Sequence, residues 1–348
     1  MRNDALMKRT AILAALFAAA SVSVMMVRLG TRTVLIADAA QSVAATVQSS
    51  AVSKLTIEKP AADASQDTLV ISLPEHVNSD DIVMENHYMT RQLWVYVNSR
   101  DALSYYQHDA LVSGLKQVIG GSCISQGNDG QVCLHIQLSG LYEYQSELSE
   151  KNITIRFQKP HEVYQKVVVI DPAGGGKQAG STSAGLAEKE ITLQIARKVN
   201  SLMKDPGTKI YFTRLDDSDP EASDRVKLAE DAQADMLIGI TADGGGQNFS
   251  GIRSFYNDRF FIRGFGNADM AVQLERDCAY ATGKTAEPVQ AAGDEYDLLK
   301  VSEVPSAVLC IGNLKDAQDA ADLNDSDYLN KIAHGIVQAI YYGGQVQK

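Results

Sequence analysis

The feature that most constrains the fold of this chain is the alternation of short apolar runs with amphipathic segments after Lys166. Residues 167–170 form a continuous apolar run, which is typical of a parallel strand buried on both faces. Residues 188–203 place apolar side chains at helical spacing on one face. Strands that alternate with helices in this way build a sheet covered on both sides. We therefore expect an α/β domain with a mostly parallel sheet over residues 166–343.

The same two patterns locate the other elements of this domain. Strands are predicted at 209–213, 236–240, 252–256 and 307–311, and helices at 221–232, 267–282 and 327–341.

Residues 67–160 show a different pattern, in which short runs alternate between apolar and polar side chains. This pattern, enriched in β-branched and aromatic residues, predicts a small β-sandwich. A short helix is expected near residues 109–118. Turn-forming residues at 126–130 separate Cys123 from Cys133, so the two cysteines are expected on facing strands. They form either a disulfide or a pair of buried free thiols.

The amino terminus carries an uncharged, mostly apolar run at residues 11–27, preceded by Lys8 and Arg9 and followed by Arg28. This length is at the short end of what spans a bilayer, so the run predicts a transmembrane anchor, with residues 1–10 as a cytoplasmic tail. A cleaved signal peptide is the alternative, although the small-x-small sequence at 37–39 lies well beyond the run. In both cases the rest of the chain is exported, and residues 28–66 are interpreted as a linker.

Charge and histidine content exclude some functions. The chain has 32 Lys and Arg against 43 Asp and Glu, a net charge of -11, and no basic stripe, so a nucleic-acid partner is not expected. None of its six histidines lies between His161 and His334. A site within the α/β domain therefore receives no histidine from that stretch.

Ligands of α/β sheets bind beyond the carboxyl ends of the strands. Three such ends are rich in glycine or polar residues: 171–177, 241–246 and 310–313. Asp171, Lys177 and Asp243 are the candidate cleft residues there. The first segment superficially suggests a phosphate-binding loop, but Gln178 follows the lysine where Ser or Thr is required. Nucleotide binding is therefore not expected.

Seven segments resemble, in order and spacing, the zinc-dependent N-acetylmuramoyl-L-alanine amidases of bacterial cell walls. They are residues 168–177, 185–193, 212–217, 225–229, 234–238, 305–309 and 324–329. The resemblance covers about residues 166–343. The preceding β-rich region more loosely resembles the amidase N-terminal (AMIN) domain, which often accompanies this catalytic domain and binds the wall.

The resemblance implies metal-assisted hydrolysis, in which two histidines and a glutamate hold Zn²⁺ and a second glutamate is the general base. Zinc with one open position acidifies its bound water and polarises the amide carbonyl. In this chain the two histidine positions fall on Gly174 and Thr241, and the general-base position on Cys310. Only the glutamate ligand, Glu188, survives, and a single carboxylate does not retain zinc.

We therefore expect a catalytically inactive amidase homologue that needs no cofactor. It would be tethered to the bacterial cell membrane through residues 11–27, or secreted if that segment is cleaved, and would bind peptidoglycan or a cell-envelope protein. The alternative is an active zinc amidase with relocated ligands, such as His334 or His161. Two further questions stay open. Cys310 is either a nucleophile or a buried thiol. Glu188 is either a metal ligand or only the carboxylate that begins its helix.

Overall fold

The computed structural model describes residues 34, 36–39, 52–58, 68–108, 110–113, 115–126, 130–183, 185–242, 250–292, 295–301 and 303–343. The predictions for the tail 1–10, for the apolar run 11–27 and for Asp243 concern residues outside these ranges. No helix in the described ranges has the length and apolarity needed to cross a bilayer.

The first region is built from strands and one helix. Its elements are β1 (Ile36–Asp38), β2 (Val52–Lys54), β3 (Thr56–Glu58), β4 (Thr68–Ser72), β5 (Ile82–His87), β6 (Gln92–Val97), α1 (Ala102–His108), β7 (Ala110–Ser113), β8 (Val118–Gln126), β9 (Gln131–Leu138), β10 (Glu143–Leu148) and β11 (Asn152–Gln158).

These strands form two packed sheets, as the alternation predicts. Among the described residues, one sheet has the order β1-β5-β6-β9-β8-β2 and the other β10-β11-β4-β7-β3. Inward-facing side chains of both sheets share one core, with Leu69 and Ile155 from one sheet and Leu93 and Leu134 from the other, all fully buried. Burial of these alternate apolar side chains is what holds the sandwich together.

Two expectations for this region need correction. The segment 28–66 is not only a linker, because β1 pairs with β5, β2 with β8 and β3 with β7. The helix expected near 109–118 lies earlier, at Ala102–His108, and a strand, Ala110–Ser113, occupies the expected place. Tertiary pairing with β4 decides this outcome, since an edge partner stabilises an extended backbone that local periodicity does not reveal.

The two cysteines of the β-sandwich lie on neighbouring strands, as expected, but they do not pair. Cys123 stands opposite Leu134 and Cys133 opposite Ile124, so the two cysteines are one register step apart. Successive side chains of a strand point to opposite faces, and Cys123 accordingly lies in the core between the sheets while Cys133 faces the other way. Both thiols are buried, and neither forms a disulfide.

The second region contains the α/β elements. They are α2 (Pro160–Val163), β12 (Lys166–Pro172), β13 (Thr182–Ser183), β14 (Leu186–Ala187), α3 (Glu188–Leu202), β15 (Thr208–Phe212), α4 (Ala222–Ala232), β16 (Met236–Thr241), β17 (Arg253–Tyr256), α5 (Asn267–Thr282), β18 (Gln290–Ala291), β19 (Ser306–Cys310), α6 (Ala317–Leu323) and α7 (Ser326–Tyr342).

The main sheet of this domain is mixed. In the described part of the chain its order is β15-β12-β16-β19-β17-β18. The first four strands run parallel, but β17 is antiparallel to β19 and pairs in parallel with β18. The expectation of a mostly parallel sheet therefore holds for the four-strand core and fails at one edge.

Helices cover both faces of this sheet, as expected. On one face α3, α5 and α7 pack against apolar side chains such as Ile170, Ile238 and Leu309. On the other face α4 and a short 3₁₀ turn, Asp297–Lys300, cover Val169 and Val308. The parallel arrangement brings the carboxyl ends of β12, β16 and β19 to one edge, where ligands of such sheets bind.

The β-sandwich packs directly against the α/β domain. The Tyr88 hydroxyl donates to the carbonyl oxygen of Phe212 at 2.8 Å and accepts from the Phe212 N–H at 3.2 Å. Lys209 on β15 donates to the Asp38 carboxylate on β1 at 2.6 Å. The strand β1 therefore contacts both domains and lies at their junction.

Candidate functional site

Glu188 is the surviving ligand position, and it lies at the first residue of α3. A carboxylate in the first turn of a helix is favoured by the helix dipole. The side chain does not turn outward to solvent, because Glu188 is only 4% exposed. It points toward the carboxyl end of β16, where Thr241 is the last residue of the strand.

Both carboxylate oxygens of Glu188 are engaged by the protein. Oε1 accepts from the Thr241 hydroxyl and from the Ala242 N–H, the latter at 2.9 Å. Oε2 accepts from the Ser181 N–H at 2.9 Å. Thr241 thus occupies the second histidine position and donates a hydrogen bond to the carboxylate that would otherwise coordinate a metal.

Gly174, at the first histidine position, lies in a tight loop with φ of 76°. A Cβ atom there would lie 2.7 Å from the Gln178 carbonyl oxygen and 2.9 Å from the Lys189 Cβ. Both distances are too short for real atoms, and the left-handed backbone disfavours any side chain. The loop is therefore built around a glycine, and a histidine does not fit it without rearrangement.

Cys310, at the general-base position, is the last residue of β19 and stands beside Thr241 in the sheet register. It is fully buried, and its Sγ lies 3.3 Å from the Gly312 carbonyl oxygen. A reactive cysteine needs exposure and a group that lowers its pKa. Burial of this kind is typical of a structural cysteine. The structure therefore favours the interpretation of Cys310 as a buried thiol over its interpretation as a nucleophile.

Asp171 is the penultimate residue of β12 and is 7% exposed. Its Oδ1 accepts from the Thr213 hydroxyl at 2.5 Å and from Arg225 Nη1 at 2.7 Å. The side chains of Arg225 and Asp171 are each only 10% exposed, so this is a buried ion pair. Such pairs are costly to break, because the remaining charge is left without compensation.

A second buried arginine stabilises the same loop. Arg214 is fully buried and donates to the carbonyl oxygens of Pro172, Ala173 and Lys189 at 2.9, 2.7 and 2.9 Å. Burial is the main reason that the pKa of its guanidinium lies below the usual value. For Arg214, the signal available in the sequence was a charged residue directly after the strand predicted at 209–213. Arg225 lies inside the helix predicted at 221–232, where the local sequence carries no such signal.

The other candidate residues have simpler surroundings. Lys177 is exposed. His334 lies on the exposed side of α7, and His161 Nε2 lies 2.8 Å from the Gln233 carbonyl oxygen. None of these three residues is among the hydrogen-bond partners of Glu188 described above.

The residues that the structure describes do not form a site for the zinc ion that the resemblance implies. Within the described ranges, no group of three His, Cys, Asp or Glu side chains is placed to hold a metal ion. Both oxygens of Glu188 already accept hydrogen bonds, from Thr241, Ala242 and Ser181. Three protein ligands are the minimum for a catalytic zinc site, so no hydrolytic step through zinc can be derived from these residues.

A cavity of about 420 Å³ opens next to these residues, on the α4 side of the sheet. Asp171, Gly174 and Thr241 line it from the strand ends and the β12 loop. Glu221 and Asp297 line it from the start of α4 and from the 3₁₀ turn. The cavity contains both apolar and charged side chains, as small-molecule sites commonly do.

Comparison with known proteins supplies close parallels for half of this chain. Residues 168–342 match the family model described as Amidase_3, N-acetylmuramoyl-L-alanine amidase. LytC, an N-acetylmuramoyl-L-alanine amidase of Bacillus subtilis, is 27% identical over 180 residues, which are 51% of this chain and 36% of LytC. The germination-specific N-acetylmuramoyl-L-alanine amidase of the same organism is 26% identical over 190 residues, 50% of this chain and 78% of that protein.

Among solved structures, the catalytic domain of CwlV, an amidase from Bacillus (Paenibacillus) polymyxa var. colistinus, is 31% identical, with a TM-score of 0.47. The alignment covers 52% of this chain and 99% of that domain. The chain thus spans about a third of the length of LytC. Since the family model covers half of its residues, the chain belongs to the Amidase_3 family of N-acetylmuramoyl-L-alanine amidases.

Proposed function

We propose that this protein is a catalytically inactive member of its family that binds peptidoglycan at the cell envelope. The observation that carries the proposal is the engagement of both oxygens of Glu188, which accept from Thr241, Ala242 and Ser181. A carboxylate that already accepts three hydrogen bonds from the protein must weaken or lose some of them to coordinate a metal. The resulting cost opposes zinc binding, in addition to the missing histidines.

The surroundings of Glu188 support the same proposal. The Gly174 loop has no space for a histidine side chain, and Cys310 is a buried thiol where the family places a general base. The ion pair of Asp171 with Arg225 keeps the strand ends ordered without metal. The fold is therefore retained while the groups that perform hydrolysis are replaced.

Wall binding is assigned to the AMIN-like β-sandwich together with the cleft of the α/β domain. The apolar run 11–27 is proposed to anchor the chain in the bacterial cell membrane, with both domains outside the cytoplasm. At about 1.5 Å per residue, a helix of that length is just long enough for a thin bilayer core. An envelope protein in place of peptidoglycan is the alternative partner.

Zinc content and hydrolysis test the loss of activity. The purified full chain is incubated with Zn²⁺, dialysed and analysed for metal, and then mixed with purified peptidoglycan to measure release of stem peptide. We expect far less than one zinc per chain and no release, with the CwlV catalytic domain as an active control. Stoichiometric zinc together with turnover that disappears in Glu188→Gln would establish the active alternative and overturn the proposal.

Sedimentation with purified cell wall tests the binding. The full chain is expected to sediment with peptidoglycan and to be displaced by soluble wall fragments. Retention by envelope membranes that is lost after protease treatment of those membranes, with no retention by purified wall or by protein-free lipid vesicles, would assign the partner to a protein instead.

A further inference from the structure

The turn between β5 and β6, residues 88–91, projects from the β-sandwich into the α/β domain. Tyr88 is buried and, with the partly buried Met89, packs against the apolar cluster that contains Val169 of the α/β domain. The ring of Tyr88 contacts the ring of Tyr211 edge to face, with 5.1 Å between the ring centres. The tip of this hairpin therefore belongs to the core of the α/β domain as well as to the β-sandwich.

Tyr88 also completes the backbone pairing of β15. In the described part of the chain β15 is an edge strand, so one side of its backbone has no strand to pair with. At Phe212, the last residue of β15, the Tyr88 hydroxyl accepts from the N–H at 3.2 Å and donates to the carbonyl oxygen at 2.8 Å. Because buried backbone groups need such partners, this hydroxyl takes the place of a neighbouring strand at the end of β15.

The second polar contact of the turn is made by Arg91 to α4. Its Nε and Nη2 lie 2.6 and 2.5 Å from Asp231 Oδ2. Arg91 has φ of 54°, a left-handed conformation that is unfavourable for residues other than glycine and persists where the surroundings hold it. The turn thus keeps a strained backbone while it contacts α4.

The two elements that the turn contacts both supply a hydrogen bond to Asp171. Thr213 follows β15 directly and donates its hydroxyl to Asp171 Oδ1, and Arg225 on α4 donates to the same oxygen. Asp171 and Ala173 line the cavity beside the strand ends. We propose that the turn 88–91 is a clamp through which the β-sandwich keeps this cavity wall ordered.

Such a clamp couples the two domains. A ligand of the β-sandwich that shifts the turn also shifts the cavity wall, and by linkage a ligand in the cavity changes the affinity of the β-sandwich by the same factor. Two domains joined only by a flexible linker would move independently. The inference does not depend on wall binding or on the loss of hydrolysis.

Amide hydrogen exchange of the full chain in mild detergent, followed residue by residue by NMR, tests the clamp. Tyr88→Phe removes the hydroxyl and keeps the ring in the apolar cluster. The Ala173 N–H donates to the Ile240 carbonyl oxygen at 2.9 Å, and the Thr213 N–H donates to the Ile170 carbonyl oxygen at 3.0 Å. We expect both amides to exchange about tenfold faster in the variant, because the loss of a buried hydrogen bond eases local opening by roughly that factor.

Tyr106→Phe is the matched control, because Tyr106 is as buried as Tyr88 and its hydroxyl donates to the Ser72 carbonyl oxygen at 2.7 Å within the β-sandwich. This variant removes a comparable hydrogen bond away from the turn. It is expected to leave the exchange of Ala173 and Thr213 unchanged.

Arg91→Gln is the second variant, and it stays informative if Tyr88→Phe does not fold. The ion pair of Arg91 with Asp231 is partly exposed, so we expect a smaller effect on Ala173 and Thr213, about threefold. Arg276→Gln, which removes a surface ion pair with Asp277, is its control and should have no effect.

Two results would overturn the proposal. One is unchanged exchange of Ala173 and Thr213 in both variants of the turn. The other is equal acceleration in the turn variants and in their matched controls, which would show that the turn contributes to overall stability alone and has no specific hold on the cavity wall.

Discussion

Two buried carboxylates at the same sheet edge, Glu188 and Asp171, have opposite relations to their surroundings. Glu188 accepts hydrogen bonds on both oxygens from the protein itself. Asp171 accepts hydrogen bonds from Arg225 and Thr213 on one oxygen, and the residue lines a cavity. The difference shows that keeping a residue type does not keep its chemistry. Availability for a ligand depends on how many acceptor sites the fold has already filled.

The largest expected effect concerns the ion pair that holds Asp171. Arg225→Ala leaves a buried carboxylate without its cation, and we expect the free energy of unfolding to fall by about 3–5 kcal/mol. Chemical denaturation of the full chain measures this change. Arg276→Ala is the control, since its ion pair with Asp277 is at the surface and should contribute less than about 1 kcal/mol. Equal effects of the two substitutions would show that the buried pair has no special role.

The second prediction concerns restoration of the first histidine position. Gly174→His is expected to lower the free energy of unfolding by roughly 3 kcal/mol, from the left-handed backbone and from steric overlap together. Gly185→His is the matched control, because Gly185 has φ of 82° but no atom within 4 Å of its Cβ position. Gly185→His should lower the free energy of unfolding only by the cost of the left-handed backbone, about 1–2 kcal/mol. If both variants are equally stable, the Gly174 loop accommodates a histidine and the replaced site can be rebuilt.

A third buried carboxylate, Glu275, extends the comparison. Among the described residues, fewer donors reach it than reach Glu188, and no salt bridge is formed with it. It is 2% exposed, its Oε2 accepts from the Ser254 N–H at 2.6 Å, and its Oε1 has no hydrogen-bond partner among the described residues. Burial raises the pKa of Glu275 to about 7, against a smaller opposing effect of the Ser254 hydrogen bond and of Arg253.

The sign of the pH dependence follows from this shift. Between the ordinary glutamate pKa and about 7 the folded chain holds a proton on Glu275 that the unfolded chain has lost, so stability contributed by this group falls as pH rises through that interval. At 1.36 kcal/mol per pKa unit, the loss between the ordinary pKa of 4.5 and about 7 is about 3 kcal/mol. Glu275→Gln should remove it, which denaturation at several pH values measures. An unchanged slope in the variant would assign the pH dependence to other groups.

The smallest expected effect concerns the hydroxyl that occupies the second histidine position. Thr241→Val removes one donor to Glu188 while the Ala242 N–H remains, and we expect the free energy of unfolding to fall by about 1.5 kcal/mol. Thr241→Ser keeps the hydroxyl and should lower the free energy of unfolding by less. If valine is as stable as serine at this position, the Thr241 hydroxyl does not contribute to holding Glu188.

Periodicity predicted the elements of the α/β domain closely. The helix expected at 267–282 begins and ends at those residues, and the helix expected at 188–203 ends one residue earlier. Such segments bury a continuous apolar face, so their pattern is visible locally. The direction of β17 was not predictable, because whether an edge strand runs parallel or antiparallel depends on where its connection crosses the sheet.

The segment 28–66 shows the limit of local patterns most clearly. Its strands are short, each of three residues, and have no periodicity long enough to recognise. They form because β5, β7 and β8 offer unpaired backbone edges. Pairing across the sheet therefore determines their structure.

The sequence alone determined the family and the α/β architecture, and the replacement of three of the four site groups, at Gly174, Thr241 and Cys310, stays a prediction from the same residues. Family and architecture are properties of residue identity and order, and the match over residues 168–342 confirmed the family. Only the tertiary structure decided that both oxygens of Glu188 accept hydrogen bonds from the protein and that Asp171 forms a buried ion pair beside a cavity. The physical reason is that hydrogen-bond partners come from strands and loops distant in sequence, and a carboxylate's availability depends on which donors the fold brings to it.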